Sequence, residues 1–433
     1  MKMHKLHIGL IGCGTVGSGV VKLLTERKNF FRDKFGVELI IRKICDRDLR
    51  SRKIPRRYKN TFTRNFREVL SDPSVDVVVE LIGGLHPAKE IMFGALKNNK
   101  HVVTANKELL AHEGKELFRE AKRRNREIYF EASVGAGIPI INSITQGLVG
   151  NRFNGLYGII NGTSNFILSE MTKNQCTFAH ALEEAQRRGF AESNPSLDIS
   201  GMDSAHKLAI LVFLAIGKFI KLDDIYVEGI TDISHTDIEN AQSLNLVIKL
   251  LAIAKKVNHE LEVRVHPTLI HKNHPLASVN GIFNAIFLDT DPVGDILLYG
   301  QGAGQMSAAA GVVSDLINLA TKKSEEMQSR INSLSKEVSK IKLRRMDRVE
   351  TKFYIRLNVI DKPGVLSKIS GILGKHDISI ASVTQRDRKR ASAVPIMMLT
   401  HLAKERKLKL ALEDINRLAV VRSKPVAIRM ERL

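Results

Sequence analysis

The chain opens with LHIGLIGCGTVGSGVV at residues 6–21, and this stretch limits the fold more than any other. Leu6, Ile8, Leu10 and Ile11 form a short apolar strand, and Gly12, Gly14 and Gly17 follow it as G-x-G-x-x-G. Val16, Val20, Val21 and Leu24 then recur at helical spacing. Strand, glycine turn and helix in this order build the first unit of a doubly wound sheet. The glycines permit a tight turn and let the backbone approach a pyrophosphate at the helix N-terminus. Gly12, Gly14, Thr15, Val16 and Gly17 are therefore candidate cofactor-binding residues. A ligand-free glycine turn is the bland alternative.

The next apolar strand, Val37–Cys45, ends at Asp46 and Arg47. A carboxylate there suits the ribose hydroxyls of NAD, and the adjoining basic run suits the extra phosphate of NADP. Both cofactors stay open. The strands Val75–Ile82 and His101–Thr104 continue the alternation with helices through Phe130. Thr104 and Lys107 stand at the carboxyl edge of such a sheet, and Lys107 falls in the first turn of a helix capped by Asn106. A cation opposes the positive end of a helix, and a local violation of that kind tends to be functional. In EASVGAGIP, residues 131–139, Glu131 and exposed backbone carbonyls fit either a hard cation or a structural turn into the helix that Pro139 begins.

Residues 185–207, AQRRGFAESNPSLDISGMDSAHK, concentrate Glu192, Asp198, Asp203 and Lys207 just before the apolar run LAILVFLAIG. Asp203 reads as the N-cap of that buried helix, and Lys207 shares its face four residues on. A lysine on so apolar a helix needs a partner or a route to solvent. Three carboxylates and an amine around a kinked loop suit a small polar substrate. Asn161, Gly162 and Thr163 form a polar turn after a strand, and strands are expected near Ile225–Ile230, Leu261–Thr268 and Ile282–Asp289. GQGAG at residues 300–304 precedes a small-residue helix, about 305–320, that can return to the first domain.

Composition narrows the class. The net charge is +21, from 67 Lys and Arg against 46 Asp and Glu. The basic residues are spread along the chain with local runs at Arg47–Arg57 and Arg386–Arg390, and Trp is absent. No nucleic-acid motif accompanies them, so no specific nucleic-acid partner is expected. No apolar run reaches membrane-spanning length. The three cysteines lack C-x-x-C spacing, which fits a reducing cytoplasm without zinc or a disulfide framework. Residues 321–350 read as a charged helical linker, and residues 351–433 as a βαββαβ ferredoxin-like module.

Taken as a set, GLIGCGTVGSGV, ELIGG, TANKELLA, EASVGAGIPII, GIINGTSNFIL and the 185–207 segment resemble homoserine dehydrogenase over about residues 5–320. The tail, with DKPGVL at residues 361–366, resembles an ACT domain, a small amino-acid-sensing module. The resemblance implies a Rossmann-type domain at 1–135 completed by the 305–320 helix, an α+β catalytic and dimerisation domain at 136–304, and the ACT domain after the linker. It implies reversible NAD(P)-dependent reduction of L-aspartate 4-semialdehyde to L-homoserine. It gives Lys207 as proton donor and Lys107 as a second amine near substrate and cofactor. Glu192 and Asp203 bind substrate, with Asp198 in support and Asn161, Gly162 and Thr163 beside it. Gly189 and Gly302 lie near the cofactor. Glu131 and the carbonyls of Val134, Ala136 and Ile138 match a monovalent cation site, taken as sodium. Asn194 departs from the pattern, which commonly has Asp before the proline. A homodimer or homotetramer is expected; the ACT domain either senses an end product, threonine first, and acts through the linker, or only strengthens the oligomer. Another amino-acid oxidoreductase and a non-catalytic sensor are the competing classes.

Overall fold

The computed structural model describes residues 3–47, 55–321, 340–385 and 393–433. Most of the expected helical linker, the basic residues after Arg47 as far as residue 54, and the whole run at Arg386–Arg390 lie outside the described residues. The chain divides into two compact units that interleave along the sequence. The first comprises Met1–Gly162, Asp203–Ile225 and Ile282–Ile341; the second comprises Thr163–Met202, Tyr226–Gly281 and Lys342–Leu433.

The first unit contains a six-stranded sheet in the order Phe62–Thr63, Val37–Cys45, His4–Ile11, Val77–Glu80, His101–Thr104, Ile128–Tyr129. All its pairs are parallel. The order reverses at the first strand, which places a crevice at its carboxyl end, directly above the glycine turn. Val77, Val78 and Val79 are fully buried, as expected for a strand covered on both faces. The strand expected over Val75–Ile82 is shorter, because the Glu80 side chain takes the N–H groups of Ile82 and Gly83 and turns the chain. The helix Gln305–Ala320 packs on the helix Thr15–Glu26. Gly19 makes this possible: a Cβ there would lie 2.9 Å from Gln305. An antiparallel group, Gly294–Gln301, Phe283–Asp291 and Arg152–Ile159, completes the unit.

The second unit is built on the strands Leu246–Val257, Glu260–His271, Val426–Met430, Glu350–Val359, Val394–Thr400 and Ile380–Gln385, in that order. The last four, with the helices Val365–Lys375 and Glu405–Asn416, form the expected βαββαβ module. Its core includes Phe353, Ile355, Leu357, Ile369, Leu373, Met398, Leu408 and Ile415.

Three sequence readings need correction. Leu246–Val257 is a long strand that was not anticipated, since its nearly continuous apolar run has no period to separate strand from helix. It turns into Glu260–His271 through Asn258 and His259, both with positive φ. The expected strand Ile225–Ile230 is only Tyr226–Val227, because Gly229 meets Ile199 and Ile230 N–H bonds the Ile199 carbonyl. The ACT module is not joined by the linker alone. Its last strand pairs in parallel with Glu260–His271, Thr268 opposite Arg429 and Leu269 opposite Met430.

Candidate active site

The glycine turn fits a dinucleotide. Gly12 has φ +93°, and a Cβ there would lie 2.7 Å from the Leu81 backbone. At Gly17 a Cβ would lie 2.1 Å from the Gly12 carbonyl oxygen, so the strand and helix can approach only with glycine. The helix Thr15–Glu26 starts at Gly14 without a side-chain cap, which leaves its first N–H groups for an anion. Cys13 N–H donates to Asp46 Oδ2 at 2.6 Å, so the carboxylate at the end of the second strand touches the turn itself. Arg47 is exposed beside it.

A buried network at the sheet edge then orients Lys107. Thr104 Oγ1 donates to Glu80 Oε2 at 2.8 Å and accepts from Asn106 N–H at 3.0 Å. Asn106 caps the next helix through Leu109 N–H and donates to the Gly84 carbonyl. Glu80 ties its own following turn, through Ile82 and Gly83, to Thr104 at the end of the neighbouring strand, and that second partner leaves no local pattern in the sequence.

Lys107, Asn161, Asp203 and Lys207 come together in the first unit. The helix Met202–Ile216 follows Gly201, whose φ is +86°. Asp203 therefore lies inside the first turn and does not cap the helix as expected. Its carboxylate faces the amines instead: Lys207 Nζ donates to Oδ2 at 2.6 Å, Asn161 Nδ2 donates to Oδ2 at 2.8 Å, and Lys107 Nζ lies 3.4 Å from Oδ1. Burial alone would raise the Asp203 pKa, but the charges of Lys207 and Lys107 and the bonds from Lys207 and Asn161 outweigh it. The carboxyl is held well below the usual range and stays ionised. Lys207 Nζ also donates to the Ile160 carbonyl at 2.7 Å. The Lys207 side chain is 11% exposed and that of Lys107 is 42% exposed. His206, beside Lys207, is buried, and burial lowers its pKa, so it adds no third cation.

Glu131 is buried, and both carboxylate oxygens accept N–H groups, from Ile141 and from the backbone and side chain of Asn142. Burial pushes its pKa up to about 7, against these bonds. Asp315 is a second buried acid that accepts Glu131 N–H at 2.9 Å, and burial together with the Glu131 charge raises its pKa well above the ordinary value. Ala136 has positive φ, and the Ile138 carbonyl already accepts Ile140 N–H. The expected helix at Pro139 is one short turn, Ile140–Asn142, that continues as a wider turn over Ser143–Gly147. Asp315 escaped notice in the sequence because nothing links it to Glu131 in chain order.

The second unit carries Thr163, Gly189, Glu192 and Asp198. Thr163 Oγ1 donates to the Phe190 carbonyl, and Ser164 Oγ donates to the Asp198 carbonyl. Gly189 has φ +73° with open space around it, and Glu192 is exposed. Asn194 Oδ1 accepts Ser196 N–H at 3.3 Å, a bond that a carboxylate oxygen would accept equally. Gly162 and Gly302 belong to the first unit, and each leaves no room for a Cβ, against Ile282 and Asn284 respectively. All three cysteines are free thiols. Among the described residues no helix is long and apolar enough to cross a membrane.

A dinucleotide cradle and a lysine held on a buried carboxylate define an NAD(P)-dependent oxidoreductase. Residues 12–131 match the NAD-binding domain of homoserine dehydrogenase, residues 139–317 its catalytic family, and residues 353–420 the ACT domain. The homoserine dehydrogenase of Neisseria gonorrhoeae is 39% identical over all of both chains. That of Helicobacter pylori is 41% identical over 99% of each. The crystal structure of a homoserine dehydrogenase from Thiobacillus denitrificans superposes with a TM-score of 0.91, at 39% identity over 99% of each chain. A hyperthermophilic archaeal homoserine dehydrogenase in complex with NADPH matches 74% of this chain and 98% of its own, with a TM-score of 0.62 and 28% identity. The chain belongs to the homoserine dehydrogenase family.

Proposed function

We propose that this chain interconverts L-aspartate 4-semialdehyde and L-homoserine with NAD(P)H. The observation that carries the reading is the double anchoring of Lys207 on Asp203 Oδ2 and the Ile160 carbonyl. An ammonium has three protons. Two are used in these bonds, and the third is left for the substrate oxygen. When bound, the nicotinamide exchanges hydride with the substrate carbon. As negative charge grows on the aldehyde oxygen, the Lys207 ammonium stabilises it and delivers the proton. In the oxidative direction the same nitrogen takes the hydroxyl proton. Asp203 keeps Lys207 oriented and accepts the polar end of the substrate, while Lys107 adds a second positive charge. Glu192, supported by Asp198, receives the substrate ammonium, and Asn161, Gly162 and Thr163 flank it.

Gly12, Gly14, Thr15, Val16 and Gly17 hold the pyrophosphate, with Thr104, Gly189 and Gly302 beside the cofactor. Asp46 and Arg47 serve NAD and NADP respectively. Glu131, with the carbonyls of Val134, Ala136 and Ile138, holds a monovalent cation, sodium by resemblance. The ACT module binds a small amino acid, threonine, and the chain works in the cytoplasm as a homodimer or homotetramer. Homoserine oxidation assayed separately with NAD and NADP tests the reading. Absence of turnover with both, in protein that binds either dinucleotide, would favour another amino-acid substrate or a sensor.

A further inference from the structure

Asn284 is fully buried, and neither Oδ1 nor Nδ2 has a hydrogen-bond partner. Among the described residues it is the one side chain whose amide is orphaned at both ends. A buried amide without partners is costly and calls for an explanation. Its position supplies one. Asn284 lies opposite Gly300 on one side, and its neighbour Ala285 lies opposite Ile159 on the other. The next residue after Ile159, Ile160, offers the carbonyl that anchors Lys207. On the remaining side Gly302 covers the amide: a Cβ on Gly302 would lie 1.9 Å from Asn284 Cγ and Nδ2. Gly302 leads through Gly304, φ +117°, into the uncapped N-terminus of the helix Gln305–Ala320. Gln305 Nε2 donates to Ser18 Oγ at 3.0 Å, in the helix that opens at the glycine turn. The orphaned amide thus lies on the strand next to the one that carries the Lys207 anchor, under the glycine turn that leads into the helix bonded to Ser18.

The chemistry selects the ligand. A phosphate offers only acceptors and would leave Oδ1 unpaired, whereas a carboxamide offers one acceptor and a donor pair and satisfies both ends. We propose that Asn284 pairs with the carboxamide of the nicotinamide ring and so fixes which face of the ring meets the substrate beside Lys207. This deepens the reading of the preceding section and rests on it. The pairing requires the Gly302 peptide, which covers the amide, to move off it when the ring binds. The missing Cβ at Gly302 and the left-handed Gly304 make that movement cheap.

The test compares binding of NAD, NADP and adenosine diphosphate ribose, which lacks the nicotinamide, to the unsubstituted chain and to Asn284→Leu. Leucine has a similar volume and no orphaned polar atoms, so the melting midpoint without ligand should hold or rise. Affinity for the dinucleotide that the chain prefers should fall about tenfold, the loss of one to two hydrogen bonds. Affinity for adenosine diphosphate ribose should stay unchanged. Equal loss for both ligands, or none for the dinucleotide, overturns the proposal. If Asn284→Leu does not fold, Asn284→Asp, which exchanges the donor for an acceptor, is read by the same ratio. Failure of the unsubstituted chain to bind either dinucleotide would instead remove the oxidoreductase reading itself.

Discussion

Arg356 grips Asp237 with two nitrogens, Nε at 2.7 Å from Oδ1 and Nη2 at 3.1 Å from Oδ2. Arg356 belongs to the first strand of the ACT module, and Asp237 to the helix His235–Ser243 within the same unit. The carboxylate also closes a capping box with Ser234 and accepts from Tyr354 Oη. Fully paired, it adds specificity to this junction; with its arginine removed, it becomes a buried charge without a counterion. Arg356→Met should therefore destabilise the protein by about 3–5 kcal/mol. Thermal denaturation at neutral pH measures it, and a change below 1 kcal/mol would show the pair to be incidental.

The same junction decides what truncation does. Removing the chain from about residue 345 takes away the strand paired to Glu260–His271 and Glu431, the partner of the buried Arg264 and of Lys255. A bare strand edge and an under-paired buried arginine favour aggregation. The truncated chain should be poorly soluble or melt well below the full chain. This differs from the expectation of a separable tail on a linker. A soluble truncated protein with a full-chain melting midpoint would restore the linker picture.

Lys207→Ala should lower turnover by roughly 10²–10⁴-fold, the usual contribution of a positioned acid or base. Dinucleotide affinity should change little, since the glycine turn is untouched. Stopped-flow or steady-state assays with homoserine check the first, and fluorescence titration with NAD(P)H checks the second. Glu192→Ala should act on KM for homoserine more than on kcat.

The pKa of Glu131, raised to about 7, makes stability depend on pH. The folded state binds this proton more tightly than the unfolded state. The associated stability is fully present below about pH 4.5, the ordinary value, and is lost as pH rises to about 7. Glu131→Gln should flatten that part of the stability curve. A bound monovalent cation should oppose the loss by stabilising the carboxylate, so sodium should raise the melting midpoint above pH 7 more than choline at equal ionic strength. Identical curves in both salts would count against a cation at Glu131.

Much of this arrangement was legible because it is local. The Gly12–Gly17 turn and the Asp203–Lys207 spacing are short-range patterns with one physical solution each. Asp203 was misread as a cap because the sequence cannot show that Gly201 already turns the chain. Glu80, Asp315 and Asn284 were illegible because their significance comes from partners 24 to 184 residues away, or from having none. The strand Leu246–Val257 was missed for want of a period. The pairing of Val426–Met430 with Glu260–His271 was invisible, since a parallel contact between distant segments leaves no mark in either.

That pairing also supplies a physical route from the ACT module toward the segment that carries Glu192 and Asp198, the proposed substrate contacts. Arg429 Nη1 donates to Glu228 Oε2 at 2.7 Å, and Tyr226 Oη donates to the same oxygen. Glu228 is followed by Gly229 and Ile230, which pack on and bond to Ile199. Ile199 ends the turn that carries Asp198 and closes the Glu192 segment. If threonine binds two arrangements of the module unequally, it shifts this chain of contacts, and the reciprocal effect on homoserine must follow. The prediction is that threonine raises the melting midpoint of the full chain and raises KM for homoserine. Arg429→Lys keeps the charge but loses the fork that joins Glu228 to Glu405. In that variant threonine should still raise the melting midpoint, while its effect on KM should shrink at least several-fold. If threonine shifts neither quantity in the unsubstituted chain, the effector is another molecule. If the variant keeps the full effect on KM, the coupling does not pass through Arg429.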